Sequence, residues 1–202
     1  MSKALFDAIR TVKGSPLTQA DVDLVNRAML GVVQEASPSG AGRGASRGAI
    51  DLIHSFEAFE AKAYPDPGSN NGLPVTIGWG STSDLQGRPI RLGTVWTREY
   101  ADAKFAQDLA KFEIGVNTLL QGRPTTQNQF DALISFAYNV GLDMNKNGKA
   151  EGLGESTLLR KHLAGDYAGA KAEFAKWNKN DGRVLAGLTR RRAAEATLYG
   201  RA

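Results

Sequence analysis

Ser55-Phe56-Glu57-Ala58-Phe59-Glu60-Ala61-Lys62-Ala63-Tyr64-Pro65-Asp66, followed closely by Val75-Thr76-Ile77-Gly78-Trp79-Gly80-Ser81-Thr82, is the stretch in which a helical pattern gives way to an extended one. Upstream, Ile50, Ile53, Phe56 and Phe59 recur at helical spacing and predict a helix from 49 to about 61. Downstream, 63–64, 75–79 and 89–92 are short strand-like pieces cut apart by Gly, Pro and Asn, which predicts a small antiparallel sheet. Everything beyond is helical in pattern. Thr97 is the expected cap of a long helix to about 120, with Tyr100, Phe105, Leu109, Phe112 and Val116 as its apolar stripe. A second apolar helix starts near Gln129 and stops at Gly141, and three more are expected near 156–164, 167–177 and 189–199. Strands segregated from helices in this way mean α+β.

Ahead of this region, residues 2–12 and 18–34 read as two short amphipathic helices. Leu5, Ile9 and Val12 share one face of the first, and Val22, Val25, Ala28 and Met29 one face of the second. Residues 36–48 are rich in Gly, Ser and Ala and read as a flexible linker. The expected organisation is an N-terminal helical segment (1–35), a linker (36–48) and a domain (49–202).

With 202 residues, 42% of them hydrophobic, the chain can bury a real core. The absence of Cys excludes disulfides, thiolate metal sites and Cys nucleophiles, and two His residues, His54 and His162, are too few for a His-rich metal centre. No metal and no cofactor are therefore expected. No run of about 18 apolar residues occurs, so no stable membrane insertion is expected. The first residues lack the pattern of a signal peptide, so the chain is expected in the cytoplasm until something else releases it. A formal charge of +4 fits either an ordinary basic protein or one drawn to a polyanion. No zinc-finger spacing occurs and the run Arg190-Arg191-Arg192 stands alone, so nucleic acid is not an expected partner.

Glu57 sits between Phe56 and Phe59. A carboxyl held among aromatic groups loses hydration, which favours its neutral form and suits a general acid. Asp66 lies nine residues on in a Pro-flanked turn, where it should be solvated and ionised. Two carboxyls in contrasting environments are the minimum equipment for glycoside hydrolysis. Acid pairs at this spacing are also common on ordinary solvated surfaces, so spacing alone does not decide between the two readings. Gly78 and Gly80 would let a large substrate approach the backbone. Glu60 and His54 read as surface and structural residues.

The whole segment resembles the phage-type muramidases of glycoside hydrolase family 24, whose signature is matched by Glu57, Tyr64, Asp66 and Thr76-Ile77-Gly78-Trp79-Gly80. The resemblance runs on through Gln129–Leu133, Ser135–Gly141, Ser156–Arg160, Trp177–Lys179 and Gly187–Arg192, in order. It implies a lysozyme-like, two-lobed α+β fold in which a long helix joins a small sheet to a larger helical lobe. It implies hydrolysis of the bond between N-acetylmuramic acid and N-acetylglucosamine in peptidoglycan, mostly with inversion. Glu57 is then the acid, Asp66 activates the attacking water, and Thr76 helps to hold it. Tyr138 and Asn139 match positions lining the saccharide cleft, although Tyr138 equally fits plain core packing. One of Arg190, Arg191 and Arg192 is expected beneath Glu57, and a solvated helix face accounts for the other two. An endolysin of this kind acts as a monomer on glycan strands, and a separate holin releases it to the wall.

Three features depart from the family pattern. Ala58 replaces the usual Gly, Ser81 stands where His is frequent, and the turn from Asp66 to Thr76 is longer than the common form. The loop from Asp143 to Glu155 places oxygen side chains at alternate positions before Gly148, as a calcium loop does, but its closing Glu falls one residue late. A plain Asn/Gly turn explains the same residues. A lytic transglycosylase and a silent wall-binding module are the competing functions.

Overall fold

In the computed structural model, residues 42–65, 72–145 and 148–201 are described. The two expected N-terminal helices and Asp66 lie outside them. Of the Gly/Ser-rich stretch, residues 42–48 are described, and they are tied down. Arg43 exchanges hydrogen bonds with Asn117 (2.9 and 2.8 Å), Ala45 N–H donates to Glu113 and Ser46 N–H to Asp131.

Ser46 then caps the first helix, α1 (Arg47–His54), by accepting from Gly48 N–H. The helix ends at His54, seven residues short of its expected limit near 61, with Ser55 as its C-cap. Phe56 and Glu57 N–H both close on the Ile53 carbonyl, and the chain turns extended. Strand β1 (Glu60–Pro65) pairs antiparallel with β2 (Val75–Gly78), placing Glu60 opposite Gly78 and Tyr64 opposite Thr76. Ala, Glu and Lys favour helix locally, but the pairing with β2 overrides that preference. The expected third strand at 89–92 is also displaced. The outer edge of β1 is met by a bridge from Lys62 to Val95, with Ala63 and Trp96 N–H closing it, while Pro89 bridges only to Ser83.

The long helix α2 (Arg98–Leu120) starts at Thr97, whose side chain accepts from Tyr100 N–H. Phe105, Leu109 and Val116 of its stripe are buried. Gly78 (φ +67°) explains how β2 reaches α2 so closely: a β-carbon there would lie 3.1 Å from Ala101 Cβ and from the Trp96 ring. Its missing side chain serves packing, not the approach of a substrate. Helix α3 (Gln127–Val140) opens on a capping box between Thr126 and Gln129 and stops at Gly141 (φ +93°). It packs on α1, α2 and the last helix, and is buried on nearly every side.

Helices α4 (Thr157–Leu163) and α5 (Tyr167–Glu173) follow, α5 running into a single 3-10 turn (Phe174–Lys176). A two-residue ribbon, β3 (Lys179–Asn180) with β4 (Arg183–Val184), leads into α6 (Ala186–Tyr199), which begins three residues before its expected start. The architecture is α+β, with α2 touching both the small sheet and the helical core.

Candidate active site

Glu57 leaves the end of α1 in a tight turn, not within a helix. Its side chain is 23% exposed at a cleft of about 440 Å³ lined by Phe56, Glu57, Ala58, Glu60, Tyr64 and Gly80. Gly80 (φ +88°) closes over it, and a β-carbon there would come 3.6 Å from Glu57 Oε2. The turn carrying Gly80 is pinched by reciprocal hydrogen bonds of 2.9 Å between Ile77 and Ser81.

Beneath the carboxyl lies Arg191. Its Nη1 donates to Glu57 Oε1 at 2.5 Å, its Nη2 to the Ser135 carbonyl at 3.3 Å, and its guanidinium stands 5.6 Å above the Phe56 ring. Such charge-assisted bonds fix direction as well as charge. Of the three arginines, only Arg190 is a solvated one. Arg192 is 1% exposed, stacked on Phe136, and donates to Asn139 Oδ1 at 3.0 Å. The expectation that two arginines face solvent fails because α6 lies against α3, and that packing buries two successive positions.

Tyr138 approaches the same place from α3. Its hydroxyl donates to the Trp79 carbonyl at 3.0 Å, and its ring packs tilted on Phe105 and Phe112. Burial, then the nearby charges of Glu57 and Asp108, push its phenol well above the usual range. Asn139, next to it, is exposed, with its amide oxygen held by Arg192. Thr76 stands on β2 opposite Tyr64, and its hydroxyl reaches the Pro74 carbonyl at 3.4 Å. Asp66 follows the last residue of β1 but lies outside the described residues.

Arg98, Asp102, Lys104 and Asp108, which surround the site, carry no signal in a motif. Trp79 is held by a 2.6 Å bond from its indole N–H to Asp102, stacks on His54 at 3.9 Å, and carries the Arg98 guanidinium at 4.6 Å. Burial lowers the His54 imidazole, against the pull of Asp102. Ser81 points at Asp108, which is paired with buried Lys104 and with Lys111. In the Asp143–Glu155 loop, the carboxylates of Asp143 and Glu155 accept from backbone N–H groups of the loop itself, Asp143 from Glu151 and Gly152, and Glu155 from Gly148. Asn147, which the calcium reading also needs, is outside the described residues. Among the described residues, no three His, Asp or Glu side chains gather as a metal site would require.

The family model described as phage lysozyme matches residues 54–195. An endolysin of Bacillus phage B103 is 40% identical over 158 residues, covering 76% of this chain and 53% of that protein. The chain thus spans about half the length of the Bacillus phage relatives it matches. An endolysin of Acyrthosiphon pisum secondary endosymbiont phage 1 is 38% identical, covering 73% of this chain and 92% of that protein. Among solved structures, an endolysin from Escherichia coli O157:H7 phage FAHEc1 superposes with a TM-score of 0.67 at 34% identity, over 79% of this chain and 95% of that one.

Proposed function

The chain belongs to the phage lysozyme family, glycoside hydrolase family 24, and on that premise we propose that it is an endolysin hydrolysing the β-1,4 bond between N-acetylmuramic acid and N-acetylglucosamine in bacterial peptidoglycan. The observation that carries this reading is Glu57 itself, a part-open carboxyl at the head of a cleft with a buried arginine bonded to its inner oxygen. That arrangement leaves the outer oxygen, beside Gly80, for the leaving-group oxygen of a glycosidic bond.

Asp66 is the base that activates water, and Thr76 helps to hold that water. Attack from the face opposite Glu57 inverts the anomeric carbon. Asn139 offers its amide N–H to an N-acetyl group while Arg192 fixes the other end of the amide. Among the described residues no helix is long and apolar enough to cross a membrane. Release to the wall through a separate holin is the export route we propose.

Digestion of purified sacculi followed by mass spectrometry tests the chemistry. Reducing muramic ends are expected, and 1,6-anhydro ends would instead assign a lytic transglycosylase. Early NMR spectra of the products should show the α anomer first if the reaction inverts. The Glu57→Gln variant should lose roughly 10³-fold in rate while keeping its fold. Clearing of walls at the normal rate by that variant would remove Glu57 from the role.

A further inference from the structure

Glu195 on α6 is 0% exposed, and the proposed reaction gives it neither a proton to move nor a sugar to touch. Its Oε1 accepts three hydrogen bonds: from Ser135 Oγ (2.9 Å), Arg191 Nε (3.2 Å) and Arg192 Nη2 (2.9 Å). Arg192 Nε lies 2.8 Å from Oε2 as an ion-pair contact. Burial pushes its carboxyl upward, and the charges of Arg192 and Arg191 pull against that. Both arginines are themselves almost fully buried, at 1% and 3% exposed. Two positive and two negative groups, counting Glu57, are thus gathered at the junction of α1, α3 and α6.

A buried ion cluster is poor evidence for stability by itself, because desolvation consumes most of its Coulomb attraction. What distinguishes this one is where its arginines lead. From the same carboxylate, Arg191 continues to Glu57 at 2.5 Å and Arg192 to Asn139 at 3.0 Å. Helical spacing makes this possible, since Glu195 stands three and four residues after the two arginines and so faces both. Arg191 spends Nε on Glu195, Nη2 on the Ser135 carbonyl and Nη1 on Glu57, so its planar fork has one orientation.

We propose that Glu195 is a positioning residue that sets, through Arg191, the aim of the acid Glu57 and, through Arg192, the orientation of the Asn139 amide on the saccharide side. The inference rests on the muramidase reading for Glu57 and goes beyond it in assigning a buried carboxylate to both halves of the site. Loss of the Glu195 charge frees Arg191 to swing and leaves its positive charge uncompensated beside Glu57, which favours the ionised acid. The rate should fall, and the alkaline limb of the pH–rate profile should move to lower pH.

The test compares Glu195→Gln, Ser135→Ala and Arg192→Met with the wild type on soluble peptidoglycan fragments, with circular dichroism confirming the fold. Glu195→Gln should lose about 10- to 100-fold in kcat with the alkaline limb shifted acidward, and KM should rise with it. Ser135→Ala, which keeps both arginines on Glu195, should lose only a few-fold in kcat. Arg192→Met should raise KM and leave the limb in place. Side-chain NMR adds a readout independent of turnover. The Arg191 Nε–H should exchange slowly with water in the wild type and faster in Ser135→Ala and Glu195→Gln. Folded Glu195→Gln with unchanged kcat and pH profile would overturn the proposal. Should that variant not fold, unchanged kcat and unchanged Arg191 exchange in Ser135→Ala would do the same. A wild type that releases no reducing ends refutes the muramidase reading instead, and the exchange experiment still judges the positioning.

Discussion

The two sides of the cleft are held by different means. On the helical side, Phe130, Ala132, Leu133, Ile134, Phe136 and Ala137 of α3 are all 0% exposed, and α1, α2 and α6 close around them. On the hairpin side, two short strands, isolated bridges and tight turns carry the chain, and Leu73, Leu92 and Val95 are 58%, 62% and 64% exposed. The difference separates tasks. The packed side holds the buried charges, Arg191 and Glu195, whereas the hairpin side supplies Glu60, Tyr64 and Gly80 to the lip of the cleft. Glu57 stands at the seam, with its backbone anchored to α1 and its carboxyl to α6.

The sharpest way to break that contrast is to empty the packed side. Phe136 meets Phe174 and Trp177 edge-on and carries Arg192 over its face at 4.9 Å. Phe136→Ala should cost about 4 kcal/mol, read as a fall in the denaturant midpoint. Leu92→Ala on the hairpin side should stay within about 0.5 kcal/mol. Equal losses at the two positions would abolish the distinction.

The next effect is nearly as large and also belongs to the helical side. His162 on α4 is 1% exposed, with Nδ1 2.6 Å from the Tyr199 hydroxyl and Nε2 2.9 Å from Thr125 Oγ1. Burial lowers its imidazole from 6.5 to about 4. Because the folded value is the depressed one, the unfolded chain takes up the proton first as pH falls. Stability from this group is complete above the unfolded value, declines as pH drops through the window down to about 4, and is flat below it. The accumulated loss approaches about 3 kcal/mol. Unfolding midpoints measured across that window should show the slope in the wild type, and His162→Gln should flatten it.

The same contrast divides what was legible from what was not. The helices of the packed side announce themselves: Thr97 caps, Gly141 stops, and Phe105, Leu109 and Val116 keep helical spacing. Glu57 was legible because ordered motifs surround it. The end of α1 was not, because Phe56 to Ala63 is a good local helix and only pairing with β2 makes it extended. Nor could the sequence choose among Arg190, Arg191 and Arg192. Successive helical positions point about 100° apart, and which one meets Glu57 depends on how α6 lies against α3. The signal for Glu195 was present in its spacing from Arg191 and Arg192, but such spacing is as common on solvated helix faces.

One bond crosses the seam directly. Tyr138 belongs to the packed side, yet its hydroxyl donates to the Trp79 carbonyl, one residue before Gly80 and its contact with Glu57. The raised phenol stays protonated through any ordinary assay pH, so the donor is always present. Tyr138→Phe keeps the ring against Phe105 and Phe112 and removes only the tie, which should cost about 1 kcal/mol of stability. If the tie sets the Gly80 turn, kcat falls a few-fold and KM holds steady. If the residue serves instead by offering its face to a sugar, Tyr138→Phe turns over normally and Tyr138→Leu raises KM. The pair of variants therefore decides whether Tyr138 belongs to the substrate or to the join between the two halves. The hydrogen bond to Trp79, with the ring already packed against Phe105 and Phe112, favours the join.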